Sequence, residues 1–357
     1  MKKLNNLQLI RGIAAVYVLL FHTSGLLQSY LNYDYAYGIF KFGDAGVDMF
    51  FVLSGFVIYY VHNKDIGAPE KVKSFFKKRI IRVYPIYWVV LICLVPVYFI
   101  IPTFGSDSVL NPLNLVKSFV LIPQPEENLP LNVAWSLSYE ILFYCMFGLL
   151  IALKRKLVLP IVLLWMGGTF VHFIIQSIIG YVDSSWINFV FNPFNLEFLS
   201  GVLIAHLVLK NYTKNGLVFI VLGLCGAVVA WINKSYSFVE LHRVIEYGLP
   251  FAFIIYGAVS YEIERQTNPS KLFVYLGDAS YSIYLIHYPM LSVVNKLFLA
   301  VNVYSIIGPF LAATIMIIST IIAGCTFHSL IEKPLLKFLN KALYSKNQTS
   351  TRNVKSA

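Results

Sequence analysis

The sequence predicts an all-α, polytopic membrane helix bundle of about ten transmembrane helices, with both termini cytoplasmic. Three observations lead there. Of 357 residues, 58% are apolar and 13% charged, against about 45–50% and about 25% in soluble domains. So few polar groups do not cover a soluble surface of this size, and mean hydropathy is +0.71. Second, the apolar residues gather into runs of about 20, the length that crosses a bilayer. Third, the net charge of +11 sits in short clusters between those runs, as the positive-inside rule requires. Clusters so placed mark topology rather than a nucleic-acid surface, and no nucleic-acid partner is expected.

In chain order the runs cover roughly 8–27, 43–62, 83–101, 134–153, 157–179, 189–209, 216–232, 244–261, 274–297 and 305–327. The first is not a cleavable signal peptide: it is too long, lacks a small-x-small site and carries Arg11 and His22. An even number of spans puts both ends on one side. That side collects 22 of the 28 basic residues, including seven over 63–82 and six over 333–355. Lys41, Lys117, Lys234, Arg243 and Lys296 fall on the other. The richer side is the cytoplasm, and the chain belongs in the cell membrane.

Residues 1–340 read as one transmembrane domain and 341–357 as a polar, disordered cytoplasmic tail. No internal repeat is visible. The longest connection facing away from the cytoplasm, 102–133, carries five prolines. Within it Leu113, Val116, Phe119 and Val120 form one short interfacial helix face. Cys93, Cys145, Cys225 and Cys325 lie inside apolar runs with no CxxC spacing. They read as small buried hydrophobes rather than as a disulfide framework or a metal site.

Ionisable groups within spans cost roughly 2.5–3.5 kcal/mol each on insertion scales, so each needs a reason. Arg11 and His22 are eleven residues apart in the first span. At about 100° per residue they share a face, roughly 16 Å apart along the axis. One reading is a snorkelling Arg and a packed His; the other is an anion site and a proton-handling imidazole on one path. In the second span Gly43, Gly46 and Gly55 permit close helix approach, and Asp48 caps or orients a neighbour. Arg79 and Arg82, at i and i+3 before Pro85, share a helix face. Two guanidinium forks there suit phosphate, or else anchor lipid head groups. Glu140 in the fourth span must be paired or protonated, and Glu197 is a weaker case of the same kind. In the ninth, Asp278, Ser280, Tyr281, Ser282, Tyr284 and His287 form one polar stripe. His62, His172, His206, His242 and His328 lack such company and read as structural or interfacial.

Taken together these stretches resemble the acyltransferase-3 family of bacterial integral-membrane acyltransferases. The matching elements are the Arg-x10-His of Arg11 and His22, GVDMFFVLSGF at 46–56, and the Arg-x-x-Arg of Arg79 and Arg82. WSLSYE at 135–140, SYSIYLIHYP at 280–289 and the Glu-Lys-Pro from Glu332 to Pro334 follow in family order. The resemblance spans about residues 5–336. It implies transfer of an acyl group, commonly acetyl, from acyl-CoA to a hydroxyl of an extracytoplasmic or lipid-linked glycan. It implies no bound cofactor and no metal: acyl-CoA enters as a co-substrate, and the other partners are a glycan acceptor and membrane lipid. The chain ends after its tenth span, so it is expected to do without the esterase-like domain that some relatives carry.

Under that resemblance Arg11, Arg79 and Arg82 hold the acyl-CoA, and His22 is the general base for the acceptor hydroxyl. Glu140 orients His22 and stabilises the imidazolium, or assists proton transfer, while Tyr281, Ser282 and His287 line the acceptor side or bond the oxyanion. Two routes stay open: direct transfer, or a relay through transiently acylated His22. A transporter or flippase of a glycan or acyl carrier is the alternative, with internal repeats and broken helices as its signature. A sensor or scaffold leaves Arg11, His22 and Glu140 unexplained.

Overall fold

The computed structural model describes residues 4–101, 106–179 and 185–342. The described chain is helical, with no strand, and ten of its helices are long and apolar enough to cross a membrane. The helices are α1 (Asn5–Leu31), α2 (Gly46–His62), α3 (Val72–Ile100), α4 (Asp107–Leu110), α5 (Pro112–Phe119), α6 (Trp135–Ala152), α7 (Arg155–Ile179) and α8 (Ser185–Val190). After them come α9 (Phe194–Leu209), α10 (Gly216–Tyr236), α11 (Leu249–Arg265), α12 (Lys271–Asp278), α13 (Ser280–Ala300), α14 (Val303–Ile307) and α15 (Pro309–Phe327). Most of the expected tail, 343–357, lies outside the described residues.

Four spans depart from the hydropathy reading. α3 begins eleven residues before the expected position 83, because its lysines and arginines are good helix formers that carry the helix beyond its apolar part. It also runs through Pro85 and Pro96. The sixth span breaks at Asn192–Pro193, where the Asn192 side chain accepts the Phe194 N–H at 3.0 Å and starts α9 afresh. The ninth splits into α12 and α13, with Ala279 between them. The tenth continues past Phe327 through a π turn, His328–Glu332. That turn carries Glu332 inward, where it accepts a hydrogen bond from Ser282 and pairs with His328 at 2.7 Å.

Three apolar clusters meet inside the bundle. One joins α2, α3, α6, α9 and α13; a second joins α1, α2, α9 and α11; the third joins α1, α13 and α15. Phe50 packs against all three. Helix contact is close because side chains are missing where backbones cross. A methyl on Gly55 would overlap the Phe198 carbonyl of α9, and one on Gly277 the Gln8 carbonyl of α1. α7 and α10 form the rim, mostly unburied by protein. The four cysteines correct the expectation of burial: Cys93, Cys145 and Cys225 are exposed and Cys325 partly so. An apolar thiol in a span is equally at home against lipid.

The described part of the 102–133 connection, from 106 onward, folds back along α3. Tyr84, Tyr87 and Trp88 donate to the carbonyls of Val120, Ser118 and Phe119 at 2.8–3.0 Å, capturing the end of α5. Leu113, Val116 and Val120 stay exposed, while Phe119 packs inward. The apolar face expected of this segment therefore forms without Phe119.

Candidate active site

A cavity with about 820 Å³ of empty space, its open mouth included, lies between α1, α2, α3, α6 and α13. Each helix contributes through its period. Arg11 enters from α1, Arg79 and Arg82 from successive turns of α3, Glu140 and Tyr144 from successive turns of α6, and Tyr281 and Tyr284 from α13. Arg79 is buried, its guanidinium 5.6 Å from the centre of the Phe75 ring and 5.7 Å from that of Tyr144. Its Nε has no partner among the described residues. Arg82 is exposed.

Glu140 balances these cations. It accepts from the Tyr144 hydroxyl at 2.5 Å and from the Ser54 hydroxyl at 3.3 Å, and Arg11, Arg79 and Tyr281 lie within its electrostatic reach. Among the described residues no hydrogen bond joins Glu140 to His22, so the carboxylate's direct partners are Ser54 and Tyr144. Turns of a helix fix which face a carboxylate occupies, and that face of α6 meets α2 and α3.

His22 lies beyond the cavity. As their spacing requires, Arg11 and His22 both turn towards α13. The His22 ring centre is 5.1 Å from that of His287 and 5.2 Å from that of Tyr288. The partition between cavity and histidines is Tyr284, whose ring centre is 5.7 Å from that of His287. The Tyr284 hydroxyl bonds Ser136 at 2.7 Å and the Val133 carbonyl at 3.0 Å, which ties α13 to the start of α6. Ser282 stands apart from both: it is buried and donates to Glu332.

Thus Arg11, Arg79, Arg82, Glu140 and Tyr281 share one cavity, and His22 and His287 share the space past its wall. Ser282 belongs to the Glu332 tie. Tyr144, Ser136, Ser54 and the partition role of Tyr284 were missed. Only Tyr144 carried a sequence signal, as the aromatic one turn after Glu140.

Away from the cavity, Asp48 is fully buried and takes a fork from Arg243, whose Nε donates to it at 2.8 Å. Arg243 Nη1 donates to Asp44 at 2.8 Å. Burial penalises the Arg243 cation, but Asp48 and Asp44 outweigh this and hold the guanidinium above its ordinary pKa. The residue that Asp48 orients, left open by the sequence, is therefore Arg243.

The fold and site define a multi-pass membrane protein with an internal chamber of three guanidinium groups and one carboxylate, backed by an imidazole pair. The family profile described as an acyltransferase domain matches residues 4–328. The chain belongs to this family and is an acyltransferase. It is 29% identical over 313 residues to the exopolysaccharide production protein ExoZ of Rhizobium meliloti, covering 84% of this chain and 91% of that one. With the acyltransferase MdmB of Streptomyces mycarofaciens it shares 26% over 333 residues, 84% of this chain and 82% of the relative. With the O-acetyltransferase OatA of Staphylococcus aureus it shares 24% over 364 residues, 92% of this chain but 56% of the relative. No solved structure gives a significant match.

Proposed function

We propose that the protein moves an acetyl group from acetyl-CoA to a hydroxyl of a glycan outside the cytoplasm or carried on lipid. The single observation that carries this reading is the arginine-lined cavity ending at a wall backed by His22. Both termini are cytoplasmic on this reading. Arg79 and Arg82, near the basic end of α3, take the phosphates of the donor, with Arg11 lining the same cavity. Residues 1–340 act as one transmembrane domain, with 341–357 as its tail.

The thioester reaches past Tyr284 at the inner end of the cavity, where the acceptor hydroxyl lies between it and His22. His22, neutral, takes the hydroxyl proton as the oxygen attacks the thioester carbonyl. The C–S bond breaks as the ester forms, and the imidazolium returns its proton to the leaving thiolate. A positioned base contributes about 10²–10⁴-fold. Glu140 serves as the counter-charge that keeps three guanidinium groups tolerable before phosphate arrives. Tyr281 lines the donor cavity with the arginines and Glu140, and His287 stands with His22 on the acceptor side.

The test is mass spectrometry of surface glycans from cells carrying wild-type protein, His22→Ala protein or none. Loss of an ester-linked acetyl group in the last two supports the reading. Normal acetylation with His22→Ala at full membrane level removes His22 from the chemistry.

A further inference from the structure

His287 is a buried imidazole with only one of its nitrogens accounted for. Its Nδ1 lies 2.6 Å from the Tyr284 carbonyl oxygen. A carbonyl only accepts, so Nδ1 carries the proton, and in the neutral ring Nε2 is left as a bare lone pair. That Nε2 is buried and has no partner among the described residues. A buried acceptor without a donor is unfavourable, and few groups are near enough to supply one. The two rings packed on His287 are Tyr284 and His22. The Tyr284 hydroxyl is taken by Ser136 and Val133. His22, at 5.1 Å between ring centres, is the remaining polar neighbour among the packed rings. Local sequence sets this up. Pro289, within α13, gives no N–H to the Leu285 carbonyl four residues earlier, and His287 bonds the neighbouring Tyr284 carbonyl.

We propose that His287 is the positioning residue for His22: its neutral Nε2 accepts the N–H of His22, directly or through one water. The proposal rests on His22 acting as the base, and it replaces Glu140 in the orienting role. Held this way, His22 turns its other nitrogen, a bare lone pair, towards the acceptor hydroxyl. A neutral acceptor suits this place better than a carboxylate. The wall between cavity and acceptor then holds no buried ion pair before reaction, and the one cation formed is the imidazolium made by proton transfer. Two neighbouring imidazoles do not both charge in so apolar a setting, so the pair holds a single extra proton, the one from the hydroxyl.

Two variants separate the nitrogens. His287→Asn keeps a donor for the Tyr284 carbonyl and loses the Nε2 acceptor; His287→Gln places an amide near the Nε2 position instead. Labelled acetyl-CoA is supplied to membranes together with the host's surface glycan, and turnover is resolved into kcat and KM. His287→Asn is expected to lower kcat by about 10–100-fold, the range for lost supporting contacts, with KM for acetyl-CoA within about twofold. His287→Gln is expected to regain part of that loss. Wild-type kcat in His287→Asn, a loss confined to KM, or equal loss in both variants overturns the pairing. Wild-type turnover in His22→Ala overturns the base and the pairing together, whereas an inactive His22→Ala beside a fully active His287→Asn overturns the pairing alone. Nitrogen NMR of histidine-labelled native protein decides the matter if a variant fails to insert, or if membranes transfer no label and the donor assignment falls. A bare, hydrogen-bond-accepting Nε2 on His287 upholds the pairing, and a protonated Nε2 overturns it.

Discussion

Replacing Arg79 and Arg82 by Gln, one at a time, separates a buried phosphate-binding charge from an exposed one on the same helix face. Arg79 is buried between the Phe75 and Tyr144 rings, and Arg82 opens to solvent at the same cavity. Opposite unit charges about 5 Å apart attract by about 3 kcal/mol at an effective dielectric of about 20, but by about 0.8 kcal/mol in bulk water. With about 1.4 kcal/mol per tenfold change, Arg79→Gln is expected to weaken CoA binding by about two orders of magnitude and Arg82→Gln by about fourfold. Arg79→Lys falls between them, since it keeps the charge but loses the planar fork and the stack on two rings. The assay is calorimetric titration of CoA into detergent-solubilised protein at low and high salt. Salt is expected to erase the Arg82 contribution first, because exposed charges are the ones screened. An Arg82→Gln loss as large as that of Arg79→Gln, or CoA binding by Arg79→Gln within twofold of wild type, refutes this placement of the donor.

Arg243→Gln leaves the buried Asp48 carboxylate without its fork. Breaking such a pair costs about 3–5 kcal/mol, and thermal melting in detergent is expected to show a large drop; an unchanged melting temperature contradicts the ion pair. Gly55→Ala forces α2 and α9 apart against the Phe198 carbonyl, whereas Gly25→Ala meets nothing within 4 Å. Overpacking of this kind costs about 1–3 kcal/mol, so the first variant melts earlier and the second melts as wild type. Cys93 and Cys225 face outward from the bundle, so a lipid-partitioning maleimide is expected to label them in membranes and a charged one not. Labelling by the charged reagent contradicts their lipid-facing position.

Much was legible because two features of membrane sequences are local. Run length alone marks spans, and all ten runs correspond to observed helices, though their ends shift where lysines extend α3 or Asn192–Pro193 cuts the sixth span. Helical period alone fixes shared faces: Arg11 with His22, and Arg79 with Arg82, required no tertiary information. What period does not fix is which neighbour a face meets. The sequence did not show that Glu140 bonds Ser54 and Tyr144, or that His22 packs on His287. Asp48 finds Arg243 across 195 residues, a pairing without local trace. The physical cause is the solvent. In water the buried side of a helix is the apolar one, and its direction can be read from the chain. In a bilayer the lipid-facing side is as apolar as the packed side, which is why Cys93, Cys145 and Cys225 look buried in sequence and lie outside in the fold. The sequence by itself determined how many helices cross and which residues share a stripe. Only tertiary packing decided that three arginines and a glutamate close around one chamber, and that two histidines from the first and ninth spans stand together behind its wall.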